Sequence, residues 1–271
     1  MRTFSESLPD DLGAALALAG PALAGRLHYR AEVDSTNDEA QELAAAGAPD
    51  GTAVVADLQH AGRGRRGRSW VSPPGAGLYL SVVVRPCTWP GGLGLLTLGA
   101  GVAAARAVAR ASGLPVELKW PNDLVVGRPW RKLGGVLSEA VGGSRLDAVV
   151  VGIGINLRRA AYPPEVAARA TSIEDELGRA IDRGALAVAV LVEFDEVVSR
   201  LRAGEAAWMA ETWRRLAASG LGRAPVRWQD RDGWRTGAAV DIDDDGALVV
   251  ERDGRRERIV AGEVIWERVR A

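Results

Sequence analysis

Between Gly62 and Trp70 the chain reads Gly-Arg-Gly-Arg-Arg-Gly-Arg-Ser-Trp, which sets four arginines and three glycines within seven residues. Glycine reaches backbone angles closed to other residues, so successive N–H groups can turn toward one anion while arginine forks close on the same oxygens. A phosphate-rich ligand suits such a loop; an RGG-like segment on nucleic acid is the competing interpretation. Lys119-Trp120-Pro121-Asn122-Asp123 gathers a cation, a ring, an amide and a carboxylate, and its proline forces an extended or turning approach. An ordinary polar hairpin has the same composition. Lys132-Leu133-Gly134-Gly135-Val136 opens a strand with a lysine, and the two glycines leave room for a ligand against the backbone, although a solvated lysine is the plain alternative. Gly152-Ile153-Gly154-Ile155-Asn156 offers a strand end of small residues where a flat ring can lie, with the Asn156 amide beside it; close packing of sheet on helix needs the same glycines. This string is no dinucleotide fingerprint, because the third glycine is missing and Pro163 and Pro164 interrupt the segment after it.

The elements that must carry these strings are set by periodicity and turn residues. Ser35 to Gly47 predicts a helix, with Thr36 and Glu39 at capping-box spacing. Thr52 to Asp57 and Leu78 to Val84 read as strands joined by the Gly/Arg loop, and Leu93 to Ala111 reads as a largely buried helix. Val116 to Trp120, Asp123 to Val126, Lys132 to Glu139 and Leu146 to Ile155 are strand candidates linked by Pro-Asn, Gly-Arg-Pro and Gly-Gly turns, which favours a mixed, mainly antiparallel sheet flanked by helices, an α+β fold. Asp182 to Ala203 places Leu186, Val190, Leu191, Phe194, Val197, Val198 and Leu201 on one helical stripe, and Ala206 to Ser219 is a second helix. Gly220 and Gly222 mark a boundary, dividing the chain into 1–222 and 223–271. Beyond it, Val226 to Trp228, Trp234 to Ile242, Ala247 to Glu251, Arg256 to Val260 and Val264 to Val269 are short strand candidates that suggest a small β-barrel, with Asp243 to Asp245 as a turn rather than a metal site.

The bulk composition narrows the class. With 271 residues, 47% hydrophobic and 25% charged, the chain can bury one large core, or one large and one small. The apolar stretch from Ala14 to Ala24 is short and broken by Gly20 and Pro21, and no membrane span is expected elsewhere, because the apolar stretches are interrupted by Gly, Arg or Asp. The single cysteine, Cys87, forms no internal disulfide, which points to the cytoplasm. A net charge of −1 gives no general attraction to nucleic acid.

Ser35-Thr36-Asn37, Gln59, the Gly62 to Trp70 loop, Lys119 to Asp123, Lys132 to Glu139 and Gly152 to Asn156 occur in the order and approximate spacing seen in biotin protein ligases. The chain resembles that family over residues from about 30 to 157, and the C-terminal β-region is similar to its SH3-like domain. The resemblance implies a class II synthetase-like catalytic domain that activates biotin with ATP to biotinyl-5′-AMP, with Mg²⁺ accompanying ATP and its ligands unassigned. Biotin then passes to one lysine of a biotin carboxyl carrier protein domain. Relatives with a repressor role carry an N-terminal winged helix-turn-helix; the residues before the core are too few for one, so neither DNA nor a membrane is expected as a partner.

Residue by residue, the resemblance implies that Ser35, Thr36, Asn37 and Gln59 bind biotin, with Ser35, Thr36 and Gln59 on its ureido group. Gly62 and Arg63 line the ligand, and Gly135 and Gly154 face its ring. Arg65, Arg68, Lys119, Asn122 and Asn156 face ATP, and Trp70 separates the biotin tail from the adenine side. Lys132 touches both the biotin carboxylate and the α-phosphate. Lys132, Arg65 and Asp123 form the catalytic set, Asp123 by orienting the incoming lysine amine, which must lose a proton from a resting pKa of about 10.4. A closing loop would shield the mixed anhydride from water. Gly77 stands where some relatives have asparagine. Trp89, Trp130 and Cys87 receive no role, and His28 and His60 are read as structural. Lipoate ligation, on the same catalytic fold, and an RNA-binding module remain the alternatives.

Overall fold

The computed structural model of the protein describes residues 7–85, 92–143, 146–160, 162, 164–217, 219–230 and 233–267. Cys87 and Trp89 lie outside these residues. Gly20, at φ 98, and Pro21 at the first helical position split the early apolar stretch into α1 (Asp10–Ala19) and α2 (Pro21–Ala24). Then come β1 (Leu27–Val33), α3 (Thr36–Ala45), β2 (Ala53–Gln59), β3 (Gly77–Val84), α4 (Gly92–Ser112), β4 (Glu117–Lys119), β5 (Asp123–Val126), β6 (Arg131–Gly142) and β7 (Leu146–Asn156). The helices α5 (Pro164–Ala167), α6 (Ile173–Leu177), α7 (Arg183–Arg202) and α8 (Ala206–Leu216) lead to β8 (Ala224–Asp230), β9 (Gly233–Ile242), β10 (Leu248–Arg252), β11 (Arg255–Ile259) and β12 (Val264–Trp266).

β1 to β7 form a seven-stranded sheet in the order β1-β2-β3-β7-β6-β5-β4. Only β1 and β2 run parallel, because α3 crosses between them, and every other pairing is antiparallel. One face carries Leu78, Leu80, Val82, Val149, Val151, Ile153 and Ile155 into the main core against α4 and α7. The other face is covered at one end by α3, which buries Ala40 and Ala44 on Val54, Val83, Ala148 and Val150. Along β7 that second face continues as Gly152 and Gly154, so the sheet itself becomes the floor of a cleft.

The sequence missed α1 and β1, and placed the helix cap one residue late. Ser35 is the N-cap of α3, its Oγ accepting from the Asn37 N–H at 3.3 Å, while Glu39 pairs with Arg30 instead of closing a capping box. The first strand of the Lys119 hairpin is only Glu117–Lys119, since Trp120 leaves the sheet for the second domain. α4 is by length and composition long and apolar enough to cross a bilayer, but most of its apolar residues are buried against the sheet, α7 and α8, as the largely buried helix expected from sequence. The stripe predicted on α7 is buried throughout, and Asp182 caps it by accepting from the Ala185 N–H at 3.0 Å.

The C-terminal strands form a second antiparallel sheet in the order β11-β10-β9-β8-β12. Val226, Trp228, Ala239, Leu248, Val250 and Val264 join the same hydrophobic core as the larger sheet. The 243–246 turn is as expected, with Asp243 Oδ1 accepting from the N–H groups of Asp245 and Ala247, both at 3.0 Å. The predicted strand to Val269 ends at Trp266, and Val269 lies outside the described residues.

Candidate active site

The start of α3 is built into a polar bench beside the glycine floor. The Thr36 N–H donates to Gln59 Oε1 at 2.9 Å, Gln59 Nε2 donates to Ser72 Oγ at 2.8 Å, and Ser81 Oγ lies 2.7 Å from Thr36 Oγ1 and 2.6 Å from Asn37 Oδ1. Asn37 Nδ2 donates to Glu139 Oε2 at 2.6 Å. Ser35, Thr36 and Asn37 are buried. A side chain on Gly152 has no room here, since a Cβ would stand 2.3 Å from Asn37 Oδ1. Sequence reasoning brought Ser35, Thr36, Asn37 and Gln59 together, but not Ser72, Ser81 or Glu139, which reach the bench from elsewhere in the chain and carry no local signal.

The Gly/Arg loop is a small hairpin. Arg63 and Ser69 form an antiparallel bridge, the Gly64 N–H donates to Arg68 O at 2.7 Å, and the Trp70 N–H donates to Gly62 O at 2.8 Å. Arg66 sits at its tip with φ 59 and ψ 39, a left-handed conformation uncommon outside glycine. The Arg63 guanidinium points back to α3 and binds Asp38 through both nitrogens at 2.6 and 2.5 Å, which with Glu139 nearby raises its pKa above the usual arginine value. Arg65 is half-buried, within 3.5 Å of Asn122 Oδ1 and of Gly262 O, and burial followed by the neighbouring Arg66 lowers its pKa. Arg66 and Arg68 both pair with Glu263, the residue before β12, so Arg68, expected to face ATP, is held by a carboxylate of the other domain.

Trp70 closes the loop by laying its ring over Gly154, where a Cβ would stand 2.8 Å from the ring. Its Nε1 is buried with no hydrogen-bond partner among the described residues, a loss of about 1–3 kcal/mol that an incoming acceptor would remove. Lys132 Nζ lies 5.3 Å from the centre of the same ring and 2.6 Å from Asp123 Oδ1. Gly135, beneath the Lys132 side chain, would place a Cβ 3.3 Å from Nζ. The faces of Gly135 and Gly154 expected to meet biotin are therefore covered by Lys132 and Trp70. Two cavities, of about 260 Å³ beside Arg26, Asp50 and Arg202 and about 420 Å³ beside Arg85 and Asp147, lie away from this chemistry.

Backbone contacts set the positions of the remaining groups. Asn122 is pinned to β6 by reciprocal bonds, its Nδ2 donating to Val136 O at 2.8 Å and its carbonyl accepting from the Val136 N–H at 2.9 Å. Asn156, expected to face the nucleotide, is buried and donates to Thr171 O at 2.9 Å. It thereby braces the segment that flanks Lys132, whose N–H donates to Arg169 O at 2.7 Å and whose carbonyl accepts from the Thr171 N–H at 2.9 Å. Lys119 is half-buried, and its pKa falls below the usual lysine value chiefly through desolvation; Asp123 opposes the shift, while Lys132, Arg169 and Arg68 add to it. Arg169 was not singled out from sequence. Among the described residues, no three His, Cys, Asp or Glu side chains gather as metal ligands.

The second domain grips the Lys119 hairpin. Trp120 Nε1 donates to Gly246 O at 3.0 Å, and Trp266 Nε1 donates to Trp120 O at 3.3 Å. Trp130, given no role from sequence, meets the Trp266 ring edge-on at 5.7 Å, with Arg128 over its own face. Gly77 has a local reason: a Cβ there would stand 2.5 Å from the Tyr79 ring, so an asparagine at this place requires the tyrosine to move. His60 pairs with Glu32 at 3.0 Å on the surface.

Residues 29–156 match the model of the biotin/lipoate A/B protein ligase family, and residues 224–266 match the biotin protein ligase C terminal domain. The chain is 36% identical to a biotin--[acetyl-CoA-carboxylase] ligase of Mycobacterium tuberculosis over 246 residues, covering 89% of this chain and 88% of that protein. It is 33% identical to the bifunctional ligase/repressor BirA of Bacillus subtilis over 241 residues, covering 88% of this chain and 73% of that protein. The structure is similar to the biotin protein ligase from Aquifex aeolicus in complex with biotin and ATP, with a TM-score of 0.78 at 30% identity, covering 90% of this chain and 99% of that one. The chain belongs to the biotin protein ligase branch of the biotin/lipoate A/B protein ligase family.

Proposed function

We propose that this protein activates biotin with ATP to biotinyl-5′-AMP and transfers the biotin to a specific lysine of a biotin carboxyl carrier domain, as the name of the Mycobacterium tuberculosis relative suggests for acetyl-CoA carboxylase. The observation that carries this reading is the convergence of Lys132, Lys119, Arg65 and Trp70 above the glycine ends of β6 and β7, beside the polar bench of α3. A carboxylate must attack the α-phosphate of a more negative molecule, and fixed cations answer that repulsion. Thr36, Asn37, Gln59 and Ser35 would hold the ureido end of biotin on the bench, with Gly62 and Arg63 at its rim. Lys132 would take up charge on the α-phosphate and the biotin carboxylate together, Arg65, Arg68 and Lys119 would bind the phosphate chain, and Asn122 and Asn156 would keep the nucleotide side in shape. Gly135 and Gly154 would meet the biotin ring once Lys132 and Trp70 turn onto the ligand. Asp123, already on Lys132, would orient or deprotonate the incoming amine.

ATP brings Mg²⁺, which commonly keeps several waters and uses phosphate oxygens with one or two carboxylates. We divide the chain into a catalytic domain, 1–222, and a C-terminal domain, 223–271, and place the enzyme in the cytoplasm. The match of residues 224–266 to a biotin ligase domain favours biotin over lipoate. Calorimetry with biotin, lipoate and a short RNA tests the proposal: saturable binding of biotin alone supports it, and binding of lipoate or RNA in its place refutes it.

A further inference from the structure

The C-terminal sheet meets the loop through two residues. Gly262 O lies within 3.5 Å of Arg65 Nη2, and the Glu263 carboxylate accepts from Arg68 and stands 3.4 Å from Arg66 Nη1. Three loop cations, two of them expected to meet phosphate, thus turn to one short segment of the other domain. That segment is firmly placed, because Glu263 immediately precedes β12, where Val264 pairs with Trp228 and Trp266 packs on Trp130 and bonds Trp120 O. The Arg68 hydrogen bond holds the Glu263 carboxyl below the usual glutamate range, so it is an anion at neutral pH. An acceptor carboxylate and a phosphate oxygen make the same demand on a guanidinium fork.

We infer that Glu263 is a positioning residue for the adenylation step: it keeps the 62–70 hairpin folded by occupying Arg66 and Arg68, and it competes with the phosphates of ATP for those guanidiniums. The inference rests on the proposed ATP-dependent reaction. Binding of ATP releases the loop from the C-terminal domain and hands Arg68 to the phosphate chain. Glu263 itself touches neither reactant.

The test compares wild type, Glu263→Gln and Glu263→Asp by ATP calorimetry at saturating biotin and by the rate at which trypsin cuts the loop of the ligand-free protein. Exposed ion pairs are weak, so Glu263→Gln is expected to bind ATP about three- to tenfold more tightly. It should also be cut faster after the loop arginines, with Glu263→Asp close to wild type in both measurements. A merely structural ion pair would not tighten ATP binding. Unchanged or weaker ATP binding by Glu263→Gln overturns the competition, and an unchanged cutting rate overturns the hold on the loop. If wild type itself ignores ATP, the proposed function fails, while the cutting rates still decide whether Glu263 restrains the loop.

Discussion

Lys132 and Asp123 face one another across neighbouring strands, with Nζ 2.6 Å from Oδ1. The carboxylate holds the ammonium over Gly135 and beside the Trp70 ring, so the cation is aimed before any substrate arrives. Preorganisation of this kind lowers the cost of stabilising charge as the transition state forms. It also places a carboxylate beside the cation that the proposed reaction sets against the biotin carboxylate.

Removing this cation gives the first prediction. Lys132→Ala is expected to lower biotin-dependent adenylation by about 10² to 10³ while the protein stays folded, as for loss of one transition-state donor. Pyrophosphate release near the wild-type rate would take Lys132 out of the mechanism.

Arg65 lies half-buried between Asn122 and the Gly262 carbonyl of the C-terminal domain, and the proposed reaction has it exchange that carbonyl for the phosphates of ATP. Arg65→Ala should weaken capture of ATP and biotin together and let the adenylate escape. Trapping released biotinyl-5′-AMP on a filter measures this, and full retention of the intermediate argues against a closing loop.

The bench is sensitive to a single methyl group. Gly152→Ala would press a Cβ onto Asn37 Oδ1, and relief by moving α3 breaks the bonds of Asn37 to Ser81 and Glu139. Overpacking of this kind costs about 1–3 kcal/mol, and biotin affinity should fall far more than ATP affinity. Equal biotin affinity in a titration would show that the bench is not the vitamin's seat.

Lys119 links pH to nucleotide binding. Its pKa is lowered in the protein, so its ammonium form costs stability below that pKa, a cost that disappears as pH rises past the unfolded value. Phosphates favour the ammonium form, so ATP binding should take up protons around the lowered pKa and weaken as pH climbs through it. Calorimetry in buffers of different ionisation enthalpy reads the uptake. Lys119→Met should lose it while melting at a higher temperature; persistent uptake in that variant assigns the proton elsewhere.

Contiguous strings carried most of what was legible. The Gly62 to Trp70 loop, the Lys119 hairpin and the Lys132 strand each encode their local shape, and the stripe on α7 records the core it faces. β1 was missed because it is an edge strand whose alternate residues His28, Arg30 and Glu32 read as polar loop. The Asn156 amide turned to the Thr171 carbonyl because a buried donor at the end of β7 has its nearest acceptor there. The grip of Glu263 on Arg68 spans 195 positions, and no local pattern announces a contact made by two domains docking.

The central claim is that this site joins biotin to ATP. Biotin-dependent exchange of labelled pyrophosphate into ATP measures that step alone, without a carrier protein. Rapid exchange with biotin, absent with lipoate and lost in Lys132→Ala, is the predicted result; no exchange with biotin, or exchange that runs with lipoate instead, would contradict the account.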